Sequence, residues 1–176
     1  MAGLASQERL QPSLLDRLRD DAPTELRESL EARVLNKNQL RAAVLRDMSW
    51  LFNATREEAD LESDDEERYE MWQRADAARE SVLNYGIPAL SGRSLAATDF
   101  AALQERIRIS IVRFEPRIDP KTLKVEVVNE HPGQQTLNMR LVIKGSLWNQ
   151  PVPLELLLSA DVNVDTGQAS VRDMRA

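Results

Sequence analysis

The spacing of apolar residues changes near residue 115. Between Asn38 and Phe52, the positions Leu40, Val44, Leu45, Met48, Leu51 and Phe52 recur at three- and four-residue steps. That spacing places them on one buried helix face. A second stripe, Phe100, Leu103, Ile107, Ile111 and Phe114, follows Thr98 and Asp99, either of which can cap a helix, while Glu105, Arg106, Arg108 and Arg113 take its other faces. Pro116 lacks a backbone donor and pushes Glu115 out of helical angles, so this helix is predicted to end at about Phe114.

Beyond that point the period becomes two. Leu123, Val125 and Val127 alternate with polar residues, as do Leu137, Met139, Leu141 and Ile143, and then Leu154, Leu156 and Leu158. His131-Pro132-Gly133 and Trp148-Asn149-Gln150-Pro151 punctuate these runs as hairpin loops, and Asp165-Thr166-Gly167 turns into a last strand at Ala169 to Val171. Two weaker helical patterns lie upstream. Ser13 precedes Leu14, Leu15 and Leu18 in a short amphipathic anchor, and Tyr69, Trp72, Ala75 and Val82 mark a helix that Gly86 and Pro88 must stop.

The expected fold is therefore α+β: N-terminal helices, then one long helix packed on a small antiparallel meander. An N-terminal arm and helical region spans 1–95 and the helix-plus-sheet core spans 96–176, the two forming one compact domain. Val128, Val142 and Leu157 interrupt the polar second face of the sheet. Either they are ordinary isolated exposed aliphatics, or the N-terminal helices cover them, or that face or a free edge strand receives another chain.

Composition narrows the chemistry. The 176 residues include no Cys and a single His, His131, which leaves almost no material for a zinc site, redox chemistry or a Ser/His/Asp relay. The apolar run Pro153 to Leu158 is far shorter than the about 20 residues of a membrane helix. The opening MAGLASQERLQPS has no signal-peptide core, so a cytoplasmic protein without membrane insertion is expected. The formal net charge of −6 lies entirely before residue 94, where 13 basic residues face 19 acidic ones. Such a chain repels phosphate backbones, and nucleic acid is not an expected partner. The densest acidic stretch, Glu57 to Glu70, contains no Gly and so lacks the turn of a calcium loop. Neither a metal nor another cofactor is expected.

Glu115-Pro116-Arg117 is the most unusual local feature, placing opposite charges on either side of a rigid proline where helix gives way to strand. Arg117 offers a planar fork and Glu115 an acceptor. The pair either ties the corner to its own sheet or serves as a docking hot spot. A glycoside hydrolase needs only two carboxyl groups across a cleft, for which Glu115 with Asp119 or Glu126 with Glu130 are candidates. The C-terminal half, however, offers only Phe100, Phe114 and Trp148 for sugar stacking, and there is no glycine-rich phosphate loop, HExxH or GxSxG.

In order along the chain, SLLDRL, LRAAVLRDMSWLFN, SVLNYGIPALSG, the helix ending in RFEPRI and the final meander resemble the TssE family. These are type VI secretion baseplate subunits related to the wedge proteins of contractile phage tails. The resemblance runs from Ser13 to about Val171. It implies a non-enzymatic subunit, despite the lysozyme-like label of the wider family, in a cytoplasmic baseplate docked at an inner-membrane complex. The implied partners are the wedge subunits TssF, TssG and TssK and the sheath proteins TssB and TssC, whose first ring it would template. On this resemblance Glu115, Pro116 and Arg117 form the family's docking corner, Leu14, Leu15 and Leu18 an arm gripping a neighbouring subunit, and Tyr85, Gly86 and Pro88 a backbone-shaping linker. Charge reversal at Arg117 would then weaken assembly and leave the isolated fold intact. The competing reading is a muramidase-like hydrolase with Glu115 as general acid.

Overall fold

The computed structural model describes residues 13–18, 24, 36–56, 66–90, 99–128, 138–148 and 153–175. Residues 57–65 of the acidic stretch, Thr98, Glu130, Leu137, the His131 loop and Asn149 to Pro151 lie outside the described residues.

Helix α1 is the single turn Leu14–Leu18. Helix α2 (Lys37–Phe52) opens with a reciprocal cap in which the Asn36 side chain accepts from the Gln39 backbone and the Gln39 side chain accepts from the Asn36 backbone. It buries Leu40, Val44, Met48, Leu51 and Phe52, the stripe its sequence marks out, with Ala43 beside them. The segment expected as one helix up to Gly86 is instead α3 (Glu66–Gln73), α4 (Asp76–Glu80) and a 3₁₀ turn, Val82–Asn84. The apolar spacing there misled because it is not a core stripe: Tyr69 and Val82 are exposed. Helix α5 (Phe100–Phe114) is capped by the Asp99 side chain, which accepts from the Ala101 and Ala102 N–H groups, and it stops before Pro116 as expected.

Four strands follow, β1 (Lys124–Val128), β2 (Asn138–Leu147), β3 (Leu154–Asn163) and β4 (Ala169–Asp173), in an antiparallel meander of spatial order 1-2-3-4. Register aligns Val125 with Ile143, Leu141 with Ala160, Ile143 with Leu158 and Val162 with Ala169, so the buried rows of all four strands share one face. Two helices of nearly equal length cover that face. Helix α5 packs at β1 and α2 at β4, with the helices also touching each other. The single long helix foreseen on the sheet is thus a pair, because α2, although distant in sequence, adds Val44, Met48, Leu51 and Phe52 to the same core as Ile107, Ile111, Leu141, Ile143 and Leu158. The opposite face carries the ion pairs Arg140–Asp161–Arg172 and Lys144–Glu126. Val142 and Leu157 are half-buried among these, and Val128 is exposed.

A short parallel bridge locks the connection into α5. Arg56 N–H donates to Ile87 O at 3.0 Å and Ile87 N–H to Ala54 O at 2.9 Å, pairing Thr55 with Ile87.

Candidate functional site

At the end of α5 the chain turns through Glu115, Pro116 and Arg117. Glu115 is only 2% exposed. Both its carboxylate oxygens accept from Arg117: Oε1 from Nε at 2.6 Å and from the Arg117 backbone N–H at 3.2 Å, and Oε2 from Nη2. Pro116, rigid and exposed, holds the two side chains on the same side of the turn. Arg117 Nη2 also donates to Asp47 Oδ2 of α2 at 2.5 Å. Asp47 Oδ1 accepts from Arg46 Nε at 2.8 Å, and Arg46 Nη1 donates to Asp16 Oδ1 of α1 at 2.7 Å. Alternating charges thus run from α1 across α2 to the corner: Asp16, Arg46, Asp47, Arg117, Glu115.

The electrostatics follow from this order. Burial works against the Arg117 cation, but the Glu115 and Asp47 carboxylates outweigh it and raise its pKa. Asp16 is lowered, because the Ser13 hydroxyl and the Arg46 guanidinium more than offset its burial. The Tyr85 phenol is raised by burial first and then by the charges of Asp47 and Glu115. Its ring stacks edge-to-face on Phe114 at 5.0 Å. Segments quoted above for their order in sequence, SLLDRL, LRDMSW, NYGIP and FEPR, therefore converge in space.

The lowered Asp16 pKa gives a pH prediction. A carboxylate depressed on folding contributes stability above its unfolded pKa and loses it as pH falls through the folded value. Wild type should exceed Asp16→Asn by about 1 kcal/mol near neutrality, the scale of a half-buried charged hydrogen bond. The two should converge as melts are taken at pH falling below the unfolded Asp value, near 3.9, and on through the lowered folded one.

Of the expected contact residues, Leu14 and Leu18 are 72% and 73% exposed, and Leu15 also faces outward. Trp50, whose ring lies 5.3 Å from the Arg46 guanidinium, adds an exposed aromatic on α2 next to α1. Trp148 is 68% exposed, and its backbone N–H donates to Arg117 O at 2.8 Å, which sets this residue beside the corner. Sequence reasoning weighed Trp148 only as a hairpin residue and for sugar stacking, and did not single out Asp47, Arg46, Asp16 or Trp50. Of the other carboxylates considered for hydrolysis, Glu126 is engaged by Lys144 Nζ at 2.8 Å and Asp119 Oδ1 caps Lys121 N–H at 3.0 Å, while Glu130 lies outside the described residues. Among the described residues no group of three or more His, Cys, Asp or Glu is placed to hold a metal ion.

The family model described as baseplate wedge protein gp25 matches residues 38–152, which takes in α2, the bridge, α5, the corner and the first two strands. The chain belongs to this family. No curated protein and no solved structure matches it. Membership bears out the resemblance to phage-tail wedge proteins and gives the chain a baseplate-like structural role, with other baseplate components as its partners. Among the described residues no helix is long and apolar enough to cross a membrane.

Proposed function

We propose that the chain is a non-enzymatic subunit of a cytoplasmic type VI secretion baseplate, docked at the inner-membrane complex, which joins TssF, TssG and TssK and templates polymerisation of the TssB–TssC sheath. The observation that carries this reading is the wedge-family match across the core. Two surfaces support it. The leucines of α1 stand in solvent on a turn pinned to α2 through Asp16, the arrangement expected of an arm awaiting a neighbour. At the corner, exposed Pro116, the outer edge of Arg117 and Trp148 form a contact surface whose rigidity comes from the ion pairs behind it. The hydrolase alternative gains no support from Glu115, since a general acid needs a proton to give and room for substrate. Both oxygens of this carboxylate are held by Arg117 in a buried position.

Co-purification tests the reading. Tagged wild type should retain wedge and sheath subunits from the native cytoplasm. Leu14→Ser/Leu18→Ser should lose wedge subunits without loss of thermal stability, because those side chains are already exposed. Release of soluble fragments from peptidoglycan by wild type, abolished in Glu115→Gln, would overturn it.

A further inference from the structure

Helix α1 is a single turn, too short to hold its shape alone in water. Among the described residues its polar tie to α2 is the hydrogen bond from Arg46 Nη1 to Asp16 Oδ1 at 2.7 Å, while the Ser13 hydroxyl donates to the other oxygen, Oδ2, at 2.6 Å. The Asp16 side chain is 9% exposed, whereas Leu14 and Leu18 stand in solvent. The turn is therefore placed by its carboxylate, and its leucines are left open to a neighbour.

Arg46 divides its guanidinium. Nη1 serves Asp16, while Nε and Nη2 both lie 2.8 Å from a single oxygen of Asp47, Oδ1. The Trp50 ring, 5.3 Å away, bounds the group on another side. The second oxygen of Asp47, Oδ2, accepts from Arg117 Nη2. An arginine edge and a carboxylate pair best through two parallel hydrogen bonds, one to each oxygen. With Asp16 seated, Arg46 leaves Oδ2 to Arg117. With Asp16 withdrawn, a small rotation brings Arg46 Nη2 onto Oδ2, where it competes with Arg117. Asp47 thus has two arrangements, shared or claimed, and the arm selects between them. These side chains are mostly shielded from water, so salt does little to screen the competition.

We propose that Arg46 is a positioning residue that couples the two contact surfaces. A neighbour seated on the leucines of α1 holds Asp16 on Arg46, leaves Asp47 Oδ2 to Arg117, and so tightens the Glu115–Pro116–Arg117 corner. By reciprocity, a partner at the corner strengthens the hold of the arm. The coupling is a property of the isolated chain, and its use rests on the reading that the leucines bind a wedge subunit.

Amide hydrogen exchange reads the corner directly, since the Arg117 N–H donates to Glu115 Oε1 at 3.2 Å and the Trp148 N–H to Arg117 O at 2.8 Å. In the isolated full chain, followed by NMR, Asp16→Asn should speed exchange of both amides about fivefold, the low end of typical couplings, and leave amides in the middle of β2 and β3 unchanged. Ser13→Ala should act in the same direction and less strongly. Arg46→Lys supplies a point charge that cannot fork across both Asp47 oxygens, so in that background Asp16→Asn should have no effect on the corner. Wild-type exchange at both amides in Asp16→Asn would overturn the coupling, and so would an equal acceleration throughout the sheet. A full response that persists in Arg46→Lys would rule out the route through Arg46. Saturating purified TssF–TssG should then slow the same amides, read by mass spectrometry, in wild type and not in Arg46→Lys. Equal slowing in both would mean direct contact at the corner in place of coupling, and binding without slowing would overturn the effect of a neighbour. Failure of TssF–TssG to bind wild type would overturn the arm reading alone, because the comparisons in the isolated chain do not depend on it.

Discussion

Arg117→Glu should destabilise the isolated chain by about 3–5 kcal/mol, the usual range for breaking a buried pair and leaving its partner uncompensated. For a chain of this size that corresponds to roughly 6–20 °C in Tm. The residue is tied to Glu115 and Asp47 at once, and Glu115 is excluded from water. Reversal would set a third carboxylate against two existing ones, and the Glu115 charge would have no other described cation in contact. This is the opposite of what the sequence suggests when the corner is taken to act only between chains. The corner is an internal tie first, and its outer surface is available for contact because that tie makes it rigid. Asp47→Asn should be far milder, since it leaves all three Arg117–Glu115 hydrogen bonds in place. A wild-type melting temperature for Arg117→Glu, measured by calorimetry, would show that the ion-pair chain does not hold the corner.

The fold was legible where a rule acts locally. Pro116 ends α5, Asp99 begins it, and period-two alternation marks each strand, because capping, proline geometry and strand pleat depend on residues within a few positions. The site was legible only in part. Asp47 sits mid-helix between Arg46 and Met48, outside the apolar stripe, and its partner Arg117 lies 70 residues away, so nothing in the local pattern distinguishes it from an ordinary solvated aspartate. Asn53 reads as a helix end, which it is, yet its amide also reaches a strand 116 residues on. Periodicity reports which face of an element is buried and is silent about what covers it. For the same reason α2 was recognised as a helix but not as half of the layer over the sheet. The order of motifs along the chain carried what local rules could not, since SLLDRL, LRDMSW, NYGIP and FEPR supply successive parts of one cluster.

Gly86→Ala should cost at least about 3 kcal/mol, combining a backbone strain of about 1–3 kcal/mol with a steric clash that the site cannot relieve cheaply. Gly86 has φ of +127°, a conformation that side-chain-bearing residues rarely adopt. A Cβ there would lie 2.3 Å from Ala54 O and 2.9 Å from Arg56 N. Both are backbone atoms already committed to the bridge with Ile87, so relief requires opening that bridge rather than turning a side chain. The damage should travel, because Tyr85 precedes this glycine and packs edge-to-face on Phe114, the residue before Glu115. Denaturant unfolding of Gly86→Ala, Asp47→Asn and the double variant would test the connection. The two single costs should fail to add, with a coupling of more than about 0.5 kcal/mol, as expected of residues acting through one cluster. Strict additivity would mean that the linker shapes only its own bridge and that the corner is positioned by α2 and α5 alone.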